Sequence, residues 1–148
     1  MNQRELRTIL LVEDSAADAE MAIDALREAK LANPIVHVED GVECMDFLHS
    51  RGRFANRPPE VPAVVLLDIK MPRMDGLEAL TQMRADNAFK RIPVVILSSS
   101  REESDLARSW DLGVNAYVLK PVDVQQFFTA VQTLGHFWAV LNQRPEGE

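Results

Sequence analysis

Short apolar runs alternate along the chain with longer stretches in which apolar residues recur at helical spacing. Residues 8–12, 35–38, 64–67, 94–97 and 116–119 are nearly all apolar and rich in β-branched side chains, which predicts five buried strands. The run 64–67 is the most hydrophobic and is expected at the centre of a sheet. A first helix is expected to about Lys30, with Ala17, Met21, Ala25 and Leu26 on its inner face. Ser15 is placed to cap it and Asp18 to reach back as the other half of a capping box. Asn33-Pro34 stops it, because the residue before proline is pushed out of the helical region. Further helices are predicted over 42–49, 77–85, 102–112 and 124–141. The segment 50–62, with Pro58, Pro59, Pro62 and the arginines 51, 53 and 57, reads as a surface loop. Strands and helices in strict alternation point to a parallel sheet with helices on both faces.

In such a sheet the strand C-termini share one crevice, where ligands bind. The first strand runs into Glu13-Asp14, the third into Asp68, the fourth into Ser98-Ser99-Ser100 and the fifth into Lys120-Pro121. Carboxylates about 5 Å apart repel by roughly 3 kcal/mol per pair at an effective dielectric near 20. An acidic trio gathered there must therefore hold a proton or bind a cation. Hard oxygen donors with room for water favour Mg²⁺. A divalent ion and a lysine beside an aspartate describe a site that receives a phosphoryl group, with the carboxylate as acceptor.

Composition narrows the classes further. The 148 residues are 47% hydrophobic and 26% charged, ordinary globular usage for one domain, with a core expected over about 6–141 and a frayed tail over 142–148. The formal charge of −7 argues against nucleic-acid binding, whose affinity comes from Lys and Arg. The single cysteine, Cys44, excludes an internal disulfide and is expected as an inert core thiol. No apolar run approaches the length of a membrane span, and the polar start lacks the apolar core of a secretion signal, so a cytoplasmic protein is expected. His37, His49 and His136 show no metal-ligand spacing.

The ordered set Glu13-Asp14-Ser15, Asp68-Ile69-Lys70-Met71-Pro72-Arg73-Met74-Asp75-Gly76, Ser98, Tyr117 and Lys120-Pro121 resembles a bacterial response-regulator receiver domain over nearly the whole chain. The resemblance implies a flavodoxin-like doubly wound sheet of strand order 2-1-3-4-5 with five helices and no output domain. It implies that Asp68 accepts a phosphoryl group from a histidine kinase. Asp14 and Asp68 would ligate Mg²⁺ directly, Glu13 through water, and Lys70 through its backbone carbonyl. Lys120 would pair with a phosphoryl oxygen, and the bond before Pro121 would be cis. Ser98 would swing to the phosphoryl group and Tyr117 would rotate inward behind it, switching the surface of helix four, strand five and helix five. Lys70 and Ser100 would tune dephosphorylation. Serine at 98 replaces a more frequent threonine and keeps the hydroxyl. The long loop 50–62, with Phe47-Leu48 running into it, is similar to single-domain regulators that accompany bacterial phytochrome kinases.

In the last helix Val124, Phe127, Val131, Leu134, Trp138 and Leu141 form one core-like stripe. Phe128, Phe137 and Val140 lie off it, which suggests a homodimer face made of Phe128, Phe137, Trp138, Val140 and Leu141. Two rival functions stay open at this point: a Mg²⁺-dependent phosphohydrolase with Asp68 as nucleophile, and a receiver-like interaction module that never carries phosphate. Phosphatases of the first kind place a second Asp two residues on, where Lys70 stands here. A nucleotide-binding protein would need a glycine-rich phosphate loop, which the sequence lacks.

Overall fold

A computed structural model describes residues 7–132. Five strands, β1 (Ile9–Val12), β2 (Ile35–Val38), β3 (Val64–Asp68), β4 (Val94–Ser98) and β5 (Ala116–Leu119), form one parallel sheet in the order β2-β1-β3-β4-β5. Five helices connect or follow them: α1 (Ala16–Glu28), α2 (Gly41–Leu48), α3 (Gly76–Ala85), α4 (Arg101–Ser109) and α5 (Val124–Gln132). Both the strand positions and the order agree with the expectation.

The strands read as unbroken apolar runs because both sheet faces are covered. Successive side chains alternate between the faces. Ile9, Leu11, Val64, Leu66, Val95 and Leu97 pack with α1 and α5, whereas Leu10, Val12, Val65, Leu67, Val94 and Ile96 pack with α2 and α3. Register sets the functional edge. Val12 pairs with Leu67, Asp68 with Leu97 and Ser98 with Leu119, so the residues after each strand emerge side by side.

Several expectations need correction. The inner face of α1 is Ala19, Ala22, Ala25 and Leu26; Ala17 is exposed and Met21 is 43% exposed. The reciprocal arm of its capping box is also different. Ser15 Oγ accepts from Asp18 N–H at 3.2 Å, but the Ser15 N–H donates to Glu13 Oε2 at 3.0 Å. α4 stops at Ser109 rather than 112, because Asp111 at φ 52° turns the chain left-handed. The loop 50–62 holds one 3₁₀ turn (Gly52–Phe54), and its arginines make specific contacts. Arg57 lies over the Phe47 ring at 3.7 Å and donates to Ser50 Oγ and to the carbonyls of Pro58 and Glu60. Arg51 and Arg53 pair with Asp46 and Glu43. The stretch 133–141 of the expected last helix, with Phe137, Trp138, Val140 and Leu141, lies outside the described residues, as does His136. Among the described residues no helix is long and apolar enough to cross a membrane.

Candidate functional site

Glu13 and Asp14 follow β1, Asp68 ends β3, and Lys120 follows β5. Backbone bonds fix each position: Glu13 N–H to the Val38 carbonyl at 3.0 Å, Lys120 N–H to the Ser98 carbonyl at 2.8 Å, and Gly76 N–H to the Ile69 carbonyl at 2.8 Å. The bond between Lys120 and Pro121 is cis, as the resemblance implied. His37 sets a ring nitrogen 2.7 Å from the Glu13 carbonyl. Asp40 caps α2 by accepting from the Glu43 N–H, and it takes two bonds from Arg73, tying the loop after β3 to the start of α2.

The charged tips converge. Lys120 Nζ lies 2.7 Å from Glu13 Oε1, 3.0 Å from Asp68 Oδ1 and 3.3 Å from Asp18 Oδ2. Glu13 is 1% exposed and Asp68 3%, while Asp14 is exposed. Burial drives the Asp68 carboxyl up, and the neighbouring Glu13 charge adds to it. Lys120 opposes both, yet the group still rises to about 7. Burial works against the Lys120 ammonium, but its bonds to Glu13 and Asp68 hold it above the ordinary lysine range.

One carboxylate oxygen each from Glu13, Asp14 and Asp68 lies within 4.8 Å of the others. Glu13 Oε1 is buried and, among the described residues, has the Lys120 ammonium at 2.7 Å as its ion-pair partner and no further hydrogen-bond donor. Hard oxygens of like charge, crowded and incompletely satisfied, fit a hard divalent cation.

The remaining predicted residues turn elsewhere. Ser98, fully buried, sits with its hydroxyl 2.6 Å from Ser104 Oγ on α4. Tyr117 is half-buried with the Arg108 guanidinium 3.9 Å from its ring centre. The Lys70 ammonium is 3.5 Å from Glu103. Ser100 caps α4 by accepting from the Glu103 N–H, and Glu103 accepts in turn from Ser99 N–H and Oγ. Phe128 is partly buried against the core rather than standing free. Cys44 is inert, buried completely with its thiol pushed up to about 12 by burial.

Four residues at or beside the site escaped the sequence reading: Asp18, Glu103, Ser104 and Arg108. For Glu103 a signal existed, since Ser100-Arg101-Glu102-Glu103 has the spacing of a capping box. Asp18 meets Lys120 across 102 positions, which no local pattern announces.

Comparison with known proteins agrees with this geometry. The family model described as the response regulator receiver domain matches residues 9–132. Response regulator Rcp1 of Synechocystis sp. is 36% identical over 132 residues, covering 89% of this chain and 88% of its own length. The solved bacteriophytochrome response regulator AtBRR is 54% identical with a TM-score of 0.88, covering 95% of this chain and 100% of that one. A Mn(2+)-bound form of Rcp1 superposes with a TM-score of 0.71 at 36% identity, covering 89% of this chain and 94% of that one.

Proposed function

The chain belongs to the response regulator receiver domain family and works in two-component phosphorelay signalling, and on that premise we propose that Asp68 is its phosphoacceptor. The observation that carries this reading is the Lys120 ammonium 3.0 Å from Asp68 Oδ1, inside a crowded carboxylate trio whose repulsion a bound cation would relieve. An Asp68 oxygen bonds to phosphorus as the bond from phosphorus to the histidine nitrogen of the donor breaks, the electron pair returning to the imidazole. The transition state is loose and anionic, so charge neutralisation matters more than proton transfer. Lys120 supplies a fixed positive charge to the transferring oxygens. Asp14 and Asp68 would hold Mg²⁺ directly, Glu13 through water and Lys70 by its backbone carbonyl. When bound, the ion neutralises phosphoryl charge and orients it.

Phosphorylation replaces one carboxylate charge by a group near −2 with new acceptor oxygens. Ser98 donates to one of them, Tyr117 follows inward, and the α4–β5–α5 surface changes state. Lys70 and Ser100 flank the group and tune its loss. The donor is a sensor histidine kinase; the similarity to the bacteriophytochrome response regulator AtBRR favours a bacterial phytochrome. The protein turns over no external substrate and acts by contact, as a phosphate relay or as a phosphate sink in the cytoplasm. The homodimer face expected from the sequence, Phe128, Phe137, Trp138, Val140 and Leu141, is part of this reading; Phe137→Glu should lower the mass measured by light scattering, and an unchanged mass removes this face.

Asp68→Asn tests the main reading. Incorporation of acid-labile phosphate from a phosphorylated kinase should fall to background, and chelating Mg²⁺ should do the same to the wild type. Full incorporation into the variant overturns it.

A further inference from the structure

α4 touches both switch side chains, and it does so from one face. Ser98 has a single hydroxyl proton and is fully buried, 2.6 Å from Ser104 Oγ. Either hydroxyl can donate in this short bond, and in both cases it holds the Ser98 side chain turned toward α4. To swing to a phosphoryl oxygen the Ser98 hydroxyl must leave this contact. One turn on, the Arg108 guanidinium covers the Tyr117 ring at 3.9 Å, a contact that inward rotation must break. Residues four apart lie one above the other on a helix.

The helix is a firm anchor for these contacts. Its first turn is fastened by Glu103, whose carboxylate takes the Ser99 N–H at 2.9 Å and the Ser99 hydroxyl at 2.8 Å, and pairs with Lys70. Beside both contacts lies a cavity of about 320 Å³ lined by Ser104, Arg108, Tyr117 and Leu119, with Arg101 and Asp105. Tyr117 lines this cavity, so its release from Arg108 meets open space rather than packed neighbours.

We propose that Ser104 and Arg108 are positioning residues that hold Ser98 and Tyr117 in their unphosphorylated arrangement, a two-point brake on the switch. The inference rests on Asp68 as the phosphoacceptor and adds the elements that oppose its effect. Removing the brake shifts the population toward the switched state before any phosphoryl group arrives, so a phosphoryl mimic binds more tightly.

The test is calorimetric titration of the full chain with beryllofluoride in Mg²⁺. Ser104→Ala should tighten binding about fivefold, the equilibrium factor of one net neutral hydrogen bond. Ser104→Thr keeps the hydroxyl and should restore wild-type affinity. Arg108→Ala, at an exposed position that leaves folding intact, should tighten binding about threefold. The decisive readout is a double-mutant cycle, because Ser104 acts through Ser98 alone: in a Ser98→Ala background Ser104→Ala should change nothing. Unchanged or weaker binding by folded Ser104→Ala, or the same gain without the Ser98 hydroxyl, overturns the brake while Asp68 stands. A wild type that takes no beryllofluoride overturns the Asp68 reading and the brake together.

Discussion

At the edge where the strands end, one ammonium, Lys120, faces the carboxylates of Glu13, Asp18 and Asp68, with Asp14 close by. At the edge where they begin, two guanidinium groups are tied to neutral acceptors instead. Arg7 donates to the carbonyls of Val61 and Pro62. Arg84 donates to those of Lys90, Ile92, Leu112 and Gly113, across distances of 2.7–3.1 Å. Asn115 and Asn33 close the same edge by bonding to Val94 N–H and the Arg7 carbonyl. At the second edge carbonyl oxygens meet both guanidinium groups, and the bonds knit the starts of strands together. The first edge has more negative charge than it can neutralise. Both edges bury charge, yet only an incomplete one can take up a cation or a phosphoryl group.

Removing the lone ammonium should break the contrast most severely. Lys120→Met is expected to slow phosphoryl uptake by about 100-fold or more, as loss of a preorganised electrostatic group does. It should also cost about 3 kcal/mol in urea unfolding at pH 8, because two carboxylates lose their counter-charge. That cost should shrink at pH 6, where Asp68 takes a proton. Equal cost at both pH values would contradict the assigned charge state.

Arg84→Met probes the second edge and should destabilise by about 2 kcal/mol through lost charged hydrogen bonds, leaving the rate of phosphoryl uptake unchanged. Third in size is a pH effect. The Asp68 carboxyl stands at about 7 in the folded, metal-free protein against an ordinary 3.8. The folded state therefore gains a proton as pH falls through 7, and this group's stabilising contribution is present below about 4 and lost as pH rises through about 7. Mg²⁺ must displace that proton, so its affinity should fall about tenfold per pH unit below 7. Titrations at pH 8 and 6 check this, and a flat profile would count against it. The smallest effect is expected at the start of α1, where Ser15→Ala should cost about 1 kcal/mol in the same unfolding measurement.

The functional edge was readable because parallel topology does the gathering: once 8–12, 64–67 and 116–119 are strands, Glu13, Asp68 and Lys120 must meet. The face of α1 was not, because its inner surface is mostly alanine. Ala17, Ala19, Ala22 and Ala25 offer little contrast, and the apolar Met21 pulled the reading outward. Contacts made across tens of residues, such as Arg84 to Leu112 or Lys120 to Asp18, carry no periodic signature. The roles of Ser104 and Arg108 were hidden for a related reason. Each looks like an ordinary polar position on a polar helix until the helix is laid against β4 and β5.

Gly76 has a consequence for anyone redesigning this molecule. A methyl group there would overlap the main-chain oxygen of Asp68, so the start of α3 and the residue it abuts are mechanically one piece. Transplanting the acidic loop into another scaffold, or splicing a sensor peptide between 69 and 75, would succeed only if that bare patch of backbone travelled with it.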